Sequence, residues 1–503
     1  MEFSLDTIIM IVYLLAMLIL GIYCNRFIKN FDDFFVAGRR LGFFLAMGTM
    51  SALFIGGSAI GISGMGHDYG IGAIWYYVAY GIGFIALGLT FVVPLRALNE
   101  YTCSDIFAHR YGEKVRLASS IITFIAWILF FAAFVVAGAR VVEALLGWPL
   151  WVAILLTAGI FTIYTSIGGM WAVTMTDFVQ FAILIAGLLI IFPVSLAAVG
   201  GFEGLVEGVP DGFFSFIPQF EGKTTLDGVG YVVATLIVTG MTGIVAPDIF
   251  IRAWCAKDDR TAKNVLYAVG FGVVVGAFML VLIGMAARVL NPDIAHEMAM
   301  PWMIGSLLPP GISGLVLVAL MAAAISGAVP ELVVCSSIVA RDIYMRVFDP
   351  KASQKKLLTV SRILTFLVGV VGMAMALFLP NFMDLTYHCY RVFVPAIAPI
   401  TIAAFYSKKT NEKSAFVSMI LGAVTALFCI LVFPESYLTF ADPVIIGLIV
   451  SVAALLILNR VTKSAHPEIG IEFVDRAQEQ IAEYKVWKKN WRAEKKALKS
   501  TKA

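Results

Sequence analysis

Residues 41–66 read LGFFLAMGTMSALFIGGSAIGISGMG. The stretch is apolar and long enough to cross a hydrocarbon layer of ~30 Å at ~1.5 Å per residue. It is nevertheless a poor continuous helix: Gly48, Gly56, Gly57, Gly61, Gly64 and Gly66 interrupt it, with Thr49, Ser51, Ser58 and Ser63 between them. Each interior glycine costs a helix roughly 1 kcal/mol relative to alanine. In hydrocarbon, unwound backbone persists only where it faces protein or a water-filled cavity. A spanning segment broken near its centre therefore points to main-chain groups presented to a ligand at mid-membrane depth. The alternative is close packing of small residues against neighbouring helices.

The rest of the chain has the same character. Of 503 residues, 60% are hydrophobic and 14% charged, which is too few charges for a soluble domain of this length. The fold class is an all-α polytopic membrane protein, placed in the cell membrane with the lipid bilayer as its main partner. A net charge of +3 gives no reason to expect a nucleic-acid partner. Cys24, Cys103, Cys255, Cys335, Cys389 and Cys429 show no CxxC spacing and read as free thiols. The opening MEFSLDT has no basic region or small-residue cleavage site, so the apolar run after it reads as a retained span.

Apolar segments of spanning length lie at about 6–24, 41–66, 71–95, 117–146, 149–169, 175–199, 228–251, 264–289, 312–339, 358–379, 383–406, 414–433 and 442–459, which predicts about thirteen transmembrane helices. Loops rich in Lys and Arg follow the first, third, seventh, ninth and eleventh, for example Arg26, Lys29, Arg39 and Arg40 after the first. The intervening loops are acidic or neutral, with Glu203, Glu207, Asp211 and Glu221 in one of them. That alternation puts the N-terminus outside and the C-terminus inside. Residues 464–503 change to a charged, helix-prone composition, basic toward the end, with Trp487 and Trp491 four apart on one face. This is expected to be a cytoplasmic helix, either solvated or lying along an anionic leaflet.

A concealed repeat fits the segment count. If segments two to six form one unit (41–199) and seven to eleven another (228–406), the odd number five makes the two enter the membrane from opposite sides. Residues 1–40 then hold the first span and its cytoplasmic exit, 200–227 an extracellular loop, and 407–463 two further spans. The first segment of the second unit carries its own glycine and hydroxyl cluster at Thr239-Gly240-Met241-Thr242-Gly243. Interruptions at corresponding positions of two inverted halves mark the binding site of a secondary transporter.

No P-loop, HExxH or GxSxG is present, so neither ATP-driven pumping nor an enzyme is expected. Ionisable groups in or beside the apolar segments are few: Arg140, Glu143, Asp177, Asp248, Glu331, His388 and Arg391. Charge at that depth marks function by default. Asp177 and Asp248 lie near segment ends, where capping also explains them. Arg140 and Glu143 are three apart and can satisfy each other. His388 and Arg391 share a face, able to receive an anionic solute group or to neutralise Glu331. Ala323, Ser326, Gly327 and Pro330 also share one face. Pro330 has no N–H, so the Ser326 carbonyl loses its usual donor. It is left to bind a hard cation such as Na⁺, or simply to mark a kink.

Four stretches together resemble the sodium/solute symporter family, which includes proline, pantothenate, acetate, sugar and sialic acid carriers. They are Asp32-Asp33-Phe34-Phe35-Val36-Ala37-Gly38-Arg39 with Leu41-Gly42; Gly168-Gly169, Ala172-Val173, Thr176-Asp177 and Gln180; Pro247-Asp248, Arg252 and Ala256-Lys257-Asp258; and Cys335-Ser336-Ser337 with Asp342-Ile343-Tyr344. Order and spacing fit from about residue 6 to 460. The resemblance implies a leucine-transporter-type core of two inverted five-helix repeats, alternating access, and transport usually driven by Na⁺. It also implies a Na⁺ held by carbonyls of the broken second helix and by a carbonyl and two adjacent hydroxyls of the ninth. Carried over, these positions are Ala46, Thr49, Ala323, Ser326 and Gly327. The chain departs from the pattern in two places: Gly327 stands where the second hydroxyl is expected, and Glu331 stands where glutamine is common.

The resulting expectation is a secondary transporter that imports a small organic solute, a carboxylate or amino acid, together with a cation. Gly56, Gly57, Ser58, Thr239, Thr242, Tyr387 and Arg391 are expected to line its cavity, with Trp75 and Tyr76 as aromatic walls. Two alternatives stay open: a proton-coupled or cation-independent carrier that uses Glu331, and a transporter-like sensor signalling through the tail.

Overall fold

The computed structural model describes residues 5–220, 224–433, 439–464 and 466–500. The chain is almost entirely helical, and among the described residues the one extended pairing is a parallel bridge between Leu41 and Ala256. The elements used below are α1 (Leu5–Cys24), α2 (Phe43–Ser51), α3 (Ala59–Tyr69), α4 (Trp75–Leu89), α5 (Cys103–Tyr111), α6 (Glu113–Leu146), α7 (Leu150–Trp171), α8 (Thr176–Ala198), α9 (Thr225–Val245), α10 (Pro247–Cys255), α11 (Asp259–Leu290), α12 (Ile312–Ser337), α13 (Gln354–Phe378), α14 (Phe382–Tyr406), α15 (Glu412–Val432), α16 (Pro443–Val461) and α17 (Pro467–Ser500).

Among the described residues eleven helices are long and apolar enough to cross a membrane, against the thirteen expected. The difference has two sources. The expected second and third segments form one apolar run, Phe43–Leu89, in which Gly70 (φ 73°, ψ −148°) ends α3. Helix α1 is 20 residues long and apolar along almost all of it, but its described side chains give an apolar run of Leu5–Ala16, below spanning length. Helices α12 and α14 are buried along most of their length, whereas Phe271, Phe378 and Leu431 point outward from the bundle. Apolar surface facing out is what a lipid solvent requires.

The sequence around residue 41 is interrupted as expected. Between α2 and α3 the chain widens into a π-helical turn, Ala52–Gly57, followed by Ser58 (φ −92°, ψ 2°). The second interruption lies further on than Thr239–Gly243. Helix α9 runs unbroken to Val245, and Ala246 is extended (φ −65°, ψ 135°) before Pro247 opens α10. Proline drives the residue before it out of the α region and lacks the N–H a continuing helix needs. The glycines upstream serve close approach instead. A Cβ at Gly83 would lie 2.4 Å from the Gly240 carbonyl and 2.9 Å from the Gly243 Cα, so α4 and α9 meet backbone to backbone.

The C-terminal helix is docked, not solvated throughout. Val474 and Ala477 are buried, the Phe473 ring lies 5.6 Å from that of Phe405, Asp475 pairs with Lys408, and Gly470 abuts the Arg110 guanidinium. An apolar strip at helical spacing on an otherwise charged helix accounts for the docking.

The tightest helix contact is between α11 and α3, where a Cβ at Gly284 would lie 1.9 Å from the Ser63 carbonyl. Gly284→Ala is expected to destabilise the protein by about 1–3 kcal/mol through overpacking, seen as a lower melting temperature in detergent. Gly305→Ala, with nothing within 4 Å, should leave the melting temperature unchanged or higher.

Candidate functional site

The two interrupted helices organise the centre of the bundle, and the side chains around the first interruption are mainly tyrosines. The Tyr77 hydroxyl donates to the Phe54 carbonyl inside the π turn. The Phe54 ring packs at 4.9 Å against Tyr80 and at 4.7 Å against Phe84. The Tyr80 hydroxyl lies 2.5 Å from that of Tyr390 on α14, with the Tyr76 hydroxyl 3.5 Å from the same oxygen. Tyr76 also meets the Tyr387 ring edge-on at 6.2 Å, and Phe130 of α6 closes on Tyr390 at 5.4 Å. All of these side chains, and Ser58 beside Tyr76 and Tyr77, are buried. Nearby, the Thr239 hydroxyl makes no hydrogen bond among the described residues, and those of Tyr387 and Thr235 meet only each other and Tyr231, without completing a full hydrogen bond. Such a box offers π faces to a cationic or apolar ring, and hydroxyls to a polar group.

The expected cavity residues divide. Ser58, Tyr76 and Tyr387 belong to this box, and Thr239 keeps its hydroxyl uncommitted. Gly56 and Gly57 fall within the π turn, but their packing lies outside the described residues. Thr242 donates to its own helix at Val238 (2.7 Å). The Trp75 indole donates to the Phe216 carbonyl of the long loop (2.7 Å), well along the chain from the tyrosines. Arg391 is engaged by Asp442: its Nε and Nη2 both donate to one carboxylate oxygen at 3.2 Å, and its guanidinium lies 5.3 Å from the Tyr387 ring. A buried guanidinium needs a counter-charge, and the N-cap residue of α16 supplies it.

The expected cation ligands also separate. Ala46 and Thr49 lie in regular α-helix ahead of the π turn, and the Thr49 hydroxyl donates to Asp177. The departure from regular α-helix lies further on, in the π turn Ala52–Gly57. Ser326 donates to the Ala323 carbonyl at 2.8 Å, so two oxygens of α12 sit side by side. Gly327 faces Phe134 of α6, whose ring carbons would lie 2.5 Å from a Cβ; a larger side chain there has no room. Glu331 is fully buried and forms no ion pair among the described residues, with the Trp127 indole as a donor. Neither carboxylate oxygen of Asp248 has a hydrogen-bond partner among them. Arg252 approaches Asp248 at 3.7 Å, and both lie within electrostatic range of Glu331.

The interrupted helices are joined at one end by main chain. Leu41 N–H donates to the Cys255 carbonyl and Lys257 N–H to the Leu41 carbonyl, both at 2.9 Å. Arg96 fastens the same point, donating to the Ala256 carbonyl (3.1 Å) and pairing with Asp259 (2.9 Å). Beside this latch, Arg341 and Arg346 bind Glu100 and Asp105, tying α5 to the residues after α12. Burial pushes the Glu100 carboxyl up, but the His109 and Arg341 contacts outweigh it and hold the group below the ordinary carboxylate range. The hydrogen bond to Glu100 raises His109 in turn.

A model of the sodium:solute symporter family matches residues 34–422. The chain belongs to this family. It is 28% identical over 474 residues to the osmoregulated proline transporter of Bacillus subtilis, covering 92% of this chain and 96% of that one. To the sodium/proline symporter of Salmonella typhimurium it is 27% identical over 436 residues, covering 83% and 86%. Its fold is similar to that of a Na⁺-coupled sialic acid symporter (TM-score 0.76, 20% identity, 92% and 98% covered) and of a nucleobase-cation-symport-1 family transporter (TM-score 0.59, 15% identity, 88% and 99% covered).

The symporter's own motifs prove to be joints. Gly169 takes a positive φ of 49° and backs onto Phe34 at 2.6 Å from a would-be Cβ, so two of the four resembling stretches pack on each other. Asp177 anchors α8 to α2 through Thr49, and Gln180 donates to the Tyr13 hydroxyl (2.8 Å). Sequence reading missed Tyr77, Tyr80, Tyr390 and Phe54. A signal was available in the i, i+4 spacing of Tyr76 and Tyr80 and the i, i+3 spacing of Tyr387 and Tyr390, which put each pair on one helix face.

If the role of Arg391 is to pair with Asp442, Asp442→Ala should cost about 3–5 kcal/mol by leaving a buried charge alone. The double variant Arg391→Met/Asp442→Leu should then regain the wild-type melting temperature and keep uptake. A well-folded double variant without uptake would instead make Arg391 a solute ligand.

Proposed function

We propose that this chain imports a small zwitterion, an amino acid of about the size of proline, by Na⁺-coupled alternating access. The observation that carries the solute class is the box of Phe54, Tyr76, Tyr80, Tyr387 and Tyr390 beside an interrupted helix. A substituted ammonium is stabilised over aromatic faces, and hydroxyls with no completed hydrogen bond suit its carboxylate. The relatives named for proline support this choice. For Na⁺, main-chain carbonyls of the π turn, the Ala323 carbonyl and the Ser326 oxygens make a suitable set of hard ligands, with Gly327 adding no side-chain oxygen. In this reading the chain has thirteen spans, N-terminus outside and C-terminus inside, with 41–199 and 228–406 as inverted repeats. The Leu41–Cys255 latch is then the inner barrier that opens to release solute.

Proline uptake into proteoliposomes should accumulate label when Na⁺ is imposed outside. Tyr80→Phe and Tyr390→Phe should each raise the KM roughly five- to tenfold, the worth of one hydrogen bond. Ser326→Ala should remove the stimulation by Na⁺. No accumulation of any amino acid under either a Na⁺ or a proton gradient would overturn the proposal.

A second reading, in which a proton replaces or accompanies Na⁺, rests on Glu331. A fully buried carboxylate that forms no ion pair is stable chiefly when neutral. Glu331→Gln mimics the neutral form and should flatten the pH dependence of uptake between pH 5 and 8, conditions chosen for the assay. An unchanged profile in that variant would exclude Glu331 as the proton carrier.

A further inference from the structure

We propose that the distal half of α17 and the first turns of α11 form a site for the headgroup of an anionic phospholipid. The site depends on the chain lying in a bilayer and not on which solute or ion it carries. Along its proximal half α17 packs by Phe473, Val474 and Ala477. The same helical spacing then brings Tyr484, Lys488 and Trp491 toward the body of the protein, while Val486, Trp487 and Lys489 stay exposed.

The surface met there is basic. The Arg260 guanidinium lies 3.8 Å from the Trp491 ring centroid, and the Lys263 ammonium 4.9 Å from that of Tyr484. Lys485 and Lys488 of the tail bear on Lys263 with like charge. The rings form a continuous row, with Tyr484 to Trp487 at 5.5 Å and Trp487 to Trp491 at 6.4 Å. Ring faces attract cations but supply no counter-charge. Of the nearby acids, Asp259 is held by Arg96 at 2.9 Å and Asp258 caps the N-terminus of α11 by accepting from Thr261 N–H; Glu483 lines the adjoining groove. None of Arg260, Lys263, Lys485 and Lys488 forms an ion pair among the described residues. The packing of α17 thus gathers four cations that form no ion pair, with Asp259 the acid that bears on Lys263.

The location selects the anion. The groove, about 600 Å³, runs between Val93, Ala97, Asp258, Asp259 and Arg260 on one side and Gln480, Glu483, Tyr484 and Trp487 on the other, so the headgroup phosphate is placed at its Lys263 and Lys488 edge. It lies at the first turn of a membrane-length helix, where headgroups lie. Tyrosine and tryptophan rings favour that depth. From Lys485 to the end, the sequence carries eight basic residues and one acid, the composition of a segment drawn to an acidic leaflet.

The test is native mass spectrometry of the full-length protein in uncharged detergent, titrated with short-chain phosphatidylglycerol, phosphatidylcholine and glycerol phosphate. Phosphatidylglycerol should bind and be displaced by salt, while the other two should not bind. Lys263→Gln and Lys488→Gln should each weaken binding about fivefold, whereas Lys351→Gln with Lys355→Gln, just before and within the first turn of α13, should leave it unchanged. Equal binding of phosphatidylglycerol and phosphatidylcholine, equal binding of glycerol phosphate, or wild-type affinity in Lys263→Gln/Lys488→Gln would each overturn the site. Uptake of solute is not the readout, so failure here leaves the transport reading untouched.

Discussion

In hydrocarbon a main-chain N–H or C=O that leaves its helix has no water to turn to. The two interruptions of the spanning helices described above are accordingly surrounded by protein. The π turn Ala52–Gly57 is enclosed by α4 and α12, and one of its carbonyls, that of Phe54, is met by the Tyr77 hydroxyl. At the Ala246 break the N–H of Ala246 still donates to the Thr242 carbonyl (2.9 Å) and its carbonyl accepts from Phe250 N–H (3.2 Å), while the latch at Leu41 holds the other end of α10. Both interruptions thus have an identified partner on at least one side. The groups that remain can be offered to cargo.

That constraint also explains the glycines. Enclosing an open turn requires neighbouring helices to come very close, and only glycine permits the approach seen at Gly83 on α9 and at Gly284 on α3. Glycine here serves two purposes that sequence alone does not separate: loosening one helix and admitting another. At Gly240 and Gly243 admission wins, and the helix stays intact. At residues 52–57 the helix itself yields.

The fold was legible because burial in lipid leaves a coarse signal, long apolar runs separated by charged loops, and because Gly169, Asp177 and Gln180 keep their order and spacing. The first interruption was legible for the same reason. The second was displaced by one turn because Pro247, the residue that breaks the helix, was read as part of an exit motif and the more conspicuous glycines as the break. Side-chain pairings were the least legible. The partner of Arg391 is Asp442, fifty-one positions on and in another helix, and no periodicity links them. The tyrosine box joins α4 to α14 across more than three hundred residues, so only the helix-face spacing within each half was visible. Tail docking was missed because a strip of three apolar residues, Phe473, Val474 and Ala477, is slight against so much charge.

Buried arginines show how far charge compensation extends. Arg140 pairs with Glu143 and with Glu297, which also accepts from the Phe382 N–H; Arg391 pairs with Asp442; Arg252 stands by Asp248. Each acid that meets an arginine has a geometric reason to be ionised in a medium that penalises lone charge. Glu331 has Asp248 and Arg252 in range and the Trp127 indole as a donor, but it forms no ion pair among the described residues. One arginine cannot neutralise two carboxylates, so a further positive charge is required whenever both are ionised. A proton on Glu331 satisfies that balance with no other atom moving. A metal ion would need several oxygens around it, which places Na⁺ more naturally at the π turn and Ser326 than at this pair.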